Sequence, residues 1–223
     1  MRKLSIVMTV LTHELWFPDP DQADEEGLLA IGGDLSPERL LLAYQKGIFP
    51  WFMEDGIIFW FCPPRRMVLF PKELHISKSM KEVLRSKKFR VTENEAFKKV
   101  IQMCAKVHAR TKSVTWISDE FIAAYSKLHQ QGHALSIEVW ENDYLSGGLY
   151  GVVVGNIFCG ESMFSLVPNS SKVALIEICR SEKYSHIDCQ VVTNHLTRMG
   201  ARNISRNAYL KLLEQASSLK PKR

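Results

Sequence analysis

What the 223 residues lack sets the first bounds. No run reaches the ~18 consecutive apolar residues that span a bilayer, so no membrane-crossing helix is expected. Arg2 and Lys3 precede an apolar run from Leu4 to Leu11. That run is short and interrupted, and no small-residue cleavage site follows, so it reads as a first strand and not as a signal peptide. The five cysteines (Cys62, Cys104, Cys159, Cys179 and Cys189) are odd in number and form no C-x-x-C pair. This pattern argues against a disulfide scaffold or a structural zinc and for reduced thiols in a cytoplasmic protein. No G-x-G-x-x-G, Walker loop, G-x-S-x-G elbow or H-E-x-x-H is present. His129 and His133 have the spacing of two ligands on one helix, but Gly132 between them interrupts such a helix. Internal repeats and low-complexity segments are absent too.

What is present is ordinary in bulk and uneven in detail. The composition, 46% hydrophobic and 24% charged, fits a globular protein of one large or two small domains. The net charge of +5 is the remainder of opposed blocks. Residues 1–64 carry 4 basic and 10 acidic side chains, and residues 65–112 carry 14 and 4. Residues 113–197 carry 4 and 9, and residues 198–223 carry 7 and 1. A strongly basic block between two acidic ones suits a docking surface for a polyanion, and it also suits a solvated lysine-rich face.

Local patterns give the elements. Residues 17–35 read as a loop, and Ser36-Pro37 opens a helix that Gly47 ends. Gly47 to Phe52 reads as an aromatic turn, and a second aromatic and proline cluster runs from Phe59 to Arg66. A domain boundary is expected there, dividing 1–64 from 65–223. Ser77 caps a second helix on which Lys78, Lys81, Arg85 and Lys88 share a face opposite Met80, Val83 and Leu84. Helices follow from Asn94 and from Ser118 to Gly132. The period then becomes two: strands are predicted over Leu135–Val139, Leu145–Val154 and Ile157–Phe164, an antiparallel meander. A helix near Ser171–Cys179, a strand at Ile187–Val191, a helix at Thr193–Met199 and a last helix at Asn207–Ala216 complete an α+β chain. Gly147, Gly148 and Gly151 fall inside a strand, where glycine marks a bulge or a close backbone approach.

Two clusters carry chemistry. Cys159-Gly160-Glu161-Ser162-Met163-Phe164 puts a carboxylate inside an apolar strand, which is costly unless the group is paired or used. In Ile187-Asp188-Cys189-Gln190, strand alternation would turn Asp188 and Gln190 to one face, where an acid and an amide carbonyl suit an amine. The same two side chains also suit pairing with backbone. Cys189 and His195 are a conceivable nucleophile and base, although a buried free cysteine is the commoner case.

Six strings in order carry a resemblance. They are Gly27 to Ser36 (GLLAIGGDLS), Ala43 to Phe52 (AYQKGIFPWF), Thr115-Trp116-Ile117, His133 to Trp140 (HALSIEVW), Phe158 to Phe164 (FCGESMF) and Ile187 to Gln190 (IDCQ). Together they resemble the leucyl/phenylalanyl-tRNA–protein transferase family over about residues 16–210. The resemblance implies a small N-terminal α/β domain and a C-terminal acetyltransferase-like (GNAT) domain with an antiparallel meander and flanking helices. It also implies an enzyme that moves Leu or Phe from Leu-tRNA or Phe-tRNA to proteins with N-terminal Lys or Arg, marking them for degradation.

By the same resemblance, Asp188 and Gln190 assist amide formation and Glu161 is the site carboxylate, suited to hold the amino group of the incoming residue. Tyr44, Trp51, Trp116 and Tyr125 fall at aromatic substrate positions, with Tyr44 and Trp51 suited to stack on the terminal adenosine or to serve as domain-interface core. Leu149, Phe158, Met163, Leu175 and Ile178 fall where the Leu/Phe pocket lies. Lys78, Lys81, Arg85 and Lys88 fall in the tRNA-gripping region. The aminoacyl ester is already activated, so no metal or cofactor is implied, and a monomer without membrane association suffices. Two other classes fit parts of the pattern. An acyl-CoA N-acetyltransferase needs a phosphate-cradling loop, for which Pro168-Asn169-Ser170-Ser171 is a poor match. An RNA-binding module accounts for the basic stripe and aromatics but not for Glu161, Asp188 and Gln190.

Overall fold

The computed structural model describes residues 8–112 and 115–218. The first strand, β1 (Thr9–Leu11), is the described part of the predicted one; residues 4–7 lie outside the described residues. It pairs in parallel with β2 (Leu28–Gly32), which occupies part of the expected loop. Helix α1 (Pro37–Gln45) starts as predicted, with Ser36 as N-cap, and Gly47 follows it at φ +73°. The expected aromatic turn is instead a strand, and it pairs with the start of the second aromatic cluster. They form β3 (Phe49–Glu54) and β4 (Ile57–Phe61), a hairpin closed by Asp55 and Gly56, both with positive φ. Aromatic and β-branched side chains favour strands, and Asp-Gly is a strong hairpin signal. Pro50 is tolerated because β3 is the edge of a sheet ordered β1-β2-β4-β3. The Gly-Gly-Asp string is architectural: Asp34 accepts from Ser36 N and Arg39 Nε, and Trp60 Nε1 donates to the Gly32 carbonyl.

The chain then enters a second sheet through β5 (Arg65–Leu69), also absent from the sequence expectation. Helix α2 (Lys78–Arg85) stops earlier than expected, because Lys87 adopts a left-handed conformation at φ 53°. A short edge strand, β6 (Arg90–Glu93), precedes α3 (Phe97–Lys112) and α4 (Asp119–Gln130). The meander is β7 (Ala134–Glu141), β8 (Tyr144–Val154) and β9 (Ile157–Ser165). Helix α5 (Ser170–Arg180) crosses to β10 (His186–Gln190), which pairs in parallel with β9. Helix α6 (Asn194–Arg198), β11 (Arg202–Ser205) and α7 (Arg206–Ser218) close the chain. The sheet order is β11-β5-β10-β9-β8-β7-β6. The fold is α+β, as expected.

Strand alternation divides the interior. Tyr150, Cys159 and Phe164 pack with α3 residues such as Val100 and Ile101, in a core that also holds Trp60, Phe49 and Ile58 of the smaller sheet. Leu149 and Phe158 pack on the other face with Val173, Leu175 and Ile178 of α5. Gly151 makes a close approach: a Cβ there would lie 2.6 Å from the Phe158 ring and 2.2 Å from the Cys159 carbonyl oxygen. Buried Glu138 of β7 accepts from the backbone N–H groups of Glu95 and Ala96, just ahead of α3. All five cysteines are free thiols.

Candidate active site

A cavity of about 420 Å³ opens where the two sheets meet. Phe49, Pro50 and Trp51 of β3 form one wall; His108 of α3 and Trp116 form another. Leu149, Phe158, Met163 and Leu175 supply apolar surface. Polar groups come from β9 and β10: Glu161, Ser162, Asp188, Cys189 and Gln190, with Thr193 and His195 beyond. Of the residues anticipated from sequence, Trp51, Trp116, Leu149, Phe158, Met163, Leu175, Glu161, Asp188 and Gln190 come together here. Tyr44, Tyr125 and Ile178 do not line the cavity; Ile178 packs in the α5 core, and the two tyrosines stand behind Glu161.

Glu161 is the centre of a small network. It is 9% exposed, and it accepts hydrogen bonds from Tyr125 Oη (3.0 Å) and from Gln190 Nε2 (2.6 Å). Tyr44 Oη bonds Tyr125 Oη behind it. Burial pushes the Glu161 carboxyl up to about 7; hydrogen bonds from Tyr44 and Tyr125 partly offset that rise. Burial, reinforced by the Glu161 charge, raises both phenols, so they stay protonated donors. An ionised carboxylate only accepts, so it selects the NH₂ end of Gln190 and leaves the amide oxygen as an acceptor for a ligand. Tyr150, fully buried beside this group, has a hydroxyl with no partner among the described residues.

Asp188 is held differently. It is fully buried, and its Oδ1 accepts from Arg66 Nε (2.8 Å) while its Oδ2 accepts from Arg66 Nη2 (2.7 Å). Tyr209 Oη also donates to Oδ2 (2.7 Å), and the Gln190 backbone N–H donates to Oδ1 (2.8 Å). Burial works against the Arg66 charge, but the adjacent carboxylate outweighs it and raises the guanidinium pKa. The simple alternation expected for Asp188 and Gln190 breaks: the register shifts between them, and Gln190 sits at φ 59°. Val191 N donates to the Cys189 carbonyl (2.7 Å), making a three-residue turn centred on Gln190. A non-glycine residue in this left-handed region costs roughly 1–2 kcal/mol.

The remaining residues sort plainly. Burial raises the Cys189 thiol, so it stays protonated, and burial lowers His195. His129 stacks on Phe97 and bonds the Ala134 carbonyl, and no group of three metal-ligating side chains occurs among the described residues. Ser170 is fully buried and donates to the Ser146 carbonyl, so the loop before α5 is packed inward. Lys78, Lys81 and Arg85 are exposed on α2. Lys88 leaves the stripe, because it lies past the helix end and pairs with Glu141 at 3.1 Å. Sequence reasoning missed Arg66, Tyr209, Phe49 and His108. The Asp55-Gly56 hairpin signal would have brought Phe49 into a strand.

Residues 68–214 match the family model "Leucyl/phenylalanyl-tRNA protein transferase", and residues 33–64 match that of its N-terminal domain. A leucyl/phenylalanyl-tRNA–protein transferase of Flavobacterium johnsoniae is 51% identical over 210 residues, covering 93% of this chain and 99% of that protein. The enzyme of the same name from Shigella sonnei is 51% identical over 209 residues, covering 91% and 88%. Among solved structures, FemX aligns with 80% of this chain and 71% of its own at 10% identity and a TM-score of 0.48.

Proposed function

The chain belongs to the leucyl/phenylalanyl-tRNA protein transferase family, and from that premise we propose how its cavity transfers an aminoacyl group. It is an aminoacyltransferase that moves an aminoacyl group from tRNA to protein. In our reading the acceptor is the α-amine of a protein beginning with Lys or Arg, and the product is routed to degradation. The enzyme acts as a monomer in the cytoplasm, with residues 1–64 and 65–223 as two domains that pack on a shared core.

The observation that carries this reading is the Gln190 amide, tied by its NH₂ to Glu161 at the edge of an apolar cavity. Leu149, Phe158, Met163 and Leu175 take the Leu or Phe side chain, with Ile178 packed behind them. An apolar pocket discriminates by ~1–3 kcal/mol per methylene, so it admits Leu, Phe and Met and rejects β-branched side chains by shape. Trp51, 36% exposed, and Trp116 present ring faces for the terminal nucleotide. Tyr44 and Tyr125 serve the site by holding Glu161.

The acceptor amine has a reference pKa of ~7.7–8.0, so a usable fraction is neutral at physiological pH. Its nitrogen attacks the ester carbonyl, a C–N bond forms, the C–O bond to the tRNA ribose breaks, and the amine proton ends on the released hydroxyl. Gln190 Oε1 accepts a hydrogen bond from the attacking amine and fixes its lone pair on the carbonyl. Orientation of this kind supplies up to ~7–11 kcal/mol. Asp188 acts through Gln190, whose backbone N–H it holds. Incubating the protein with labelled Leu-tRNA and a peptide that starts with Arg tests the reading: mass spectrometry should show a new N-terminal Leu. Absence of transfer from both Leu-tRNA and Phe-tRNA would overturn it.

A further inference from the structure

Asp188 has no spare capacity of the kind a proton carrier needs. Four donors converge on its two oxygens, three of them from the side chains of Arg66 and Tyr209. Arg66 is itself fixed, with its guanidinium 4.6 Å from the centres of both the Phe49 and Tyr209 rings and Nη1 donating to the Gly47 carbonyl. Its charge and that of Asp188 cancel in the interior. What Asp188 does toward the cavity is therefore mechanical: Oδ1 grips the N–H of Gln190. That N–H belongs to a residue in a left-handed three-residue turn, a backbone state that surrounding structure must enforce. Relaxed to an extended conformation, the strand would resume its alternation and carry the amide away from Glu161.

We infer that Arg66 and Tyr209 are positioning residues for the transfer: through Asp188 they hold the turn that keeps the Gln190 amide against Glu161 at the cavity. The inference rests on the reading that Gln190 acts on the acceptor amine. Neither residue lines the cavity. A bidentate guanidinium suits this task, since two parallel bonds fix the plane of the carboxylate as well as its place.

The test is a cycle of variants of the full chain, assayed with Leu-tRNA and a peptide starting with Arg. Tyr209→Phe removes one hydrogen bond to a buried carboxylate and keeps the ring over Arg66. It should lower kcat about tenfold with KM for both substrates unchanged. In a Gln190→Ala background the same change should move kcat by less than about twofold, because the group it positions is gone. Arg66→Lys, assayed below its own melting temperature, keeps the charge, loses the parallel bonds and should cost at least as much kcat as Tyr209→Phe. Wild-type kcat in Tyr209→Phe or in Arg66→Lys overturns the inference, and so does an equal loss with and without Gln190. If Gln190→Ala itself turns over at the wild-type rate, the reading of Gln190 fails and the inference falls with it. If Gln190→Ala is slow and Tyr209→Phe is not, the inference alone fails.

Discussion

At neutral pH the Glu161 carboxyl is poised between two hydrogen-bonding roles. Ionised, it accepts the Gln190 NH₂; protonated, it becomes a donor and competes for the Gln190 oxygen to which we assign the substrate amine. Burial holds its folded pKa near 7, above the ordinary carboxylate value of 4.5. Activity should therefore rise with pH through about 7, in addition to the rise from deprotonating the acceptor. A plot of log kcat/KM against pH should approach a slope of two below pH 7 in the wild type and of one in Glu161→Gln. Stability moves the other way. Between pH 4.5 and about 7 the unfolded chain releases this proton and the folded one keeps it, so stability falls as pH rises through that window. The loss is on the order of 3 kcal/mol and should be absent in Glu161→Gln, as read from denaturant midpoints at the two ends of the window. Glu161 was legible in the sequence because a carboxylate in an apolar strand is conspicuous; Asp188 and Gln190 stood out for a shared strand face, which the turn at Gln190 breaks. Arg66 was not: one arginine in a basic run carries no mark of burial, and its partner lies 122 positions away.

Elements were legible where a periodicity ran long enough to be seen. The meander and α4, α5 and α7 stand close to their predicted places, whereas β3 to β6 are too short, and β3 and β4 too dense in aromatics, to show a period. The basic helix was legible in kind but not in length, since the left-handed Lys87 gives no signal that a lysine can announce. Its shortening has a consequence for tRNA. Lys78, Lys81 and Arg85 remain available to phosphates, whereas Lys88 is engaged with Glu141. Replacing the three by Glu should raise KM for aminoacyl-tRNA and leave kcat nearly unchanged. It should also flatten the dependence of log KM on log salt by roughly 0.7–0.9 for each contact removed. Lys88→Glu alone should change that slope little. Titrating activity from low to moderate salt in each variant checks both statements.

At the scale of the molecule, the two sheets share one core, because Trp60, Phe49 and Ile58 pack in the same cluster as Val100, Tyr150 and Tyr209. Unfolding should accordingly be a single transition, with tryptophan fluorescence and far-UV circular dichroism giving one denaturant midpoint. Gly47 sits where the halves meet: at φ +73°, a Cβ there would come within 2.9 Å of a Leu210 methyl. Gly47→Ala should lower that common midpoint, by more than about 1 kcal/mol of stability, without splitting it. The small net charge fits this joint construction, since the basic block of residues 65–112 and its acidic flanks belong to one body.

The position of β5 between β10 and β11 also sets a timetable for synthesis. Arg66 leaves the ribosome early and has no carboxylate to meet until Asp188 follows; Tyr209 comes later still. Until then the segment is a cationic strand with both edges unpaired, and neither the cavity wall formed by β10 nor the turn at Gln190 exists. The cavity wall and its buried support are therefore complete only once β10 and α7 have both been made, and they arrive together.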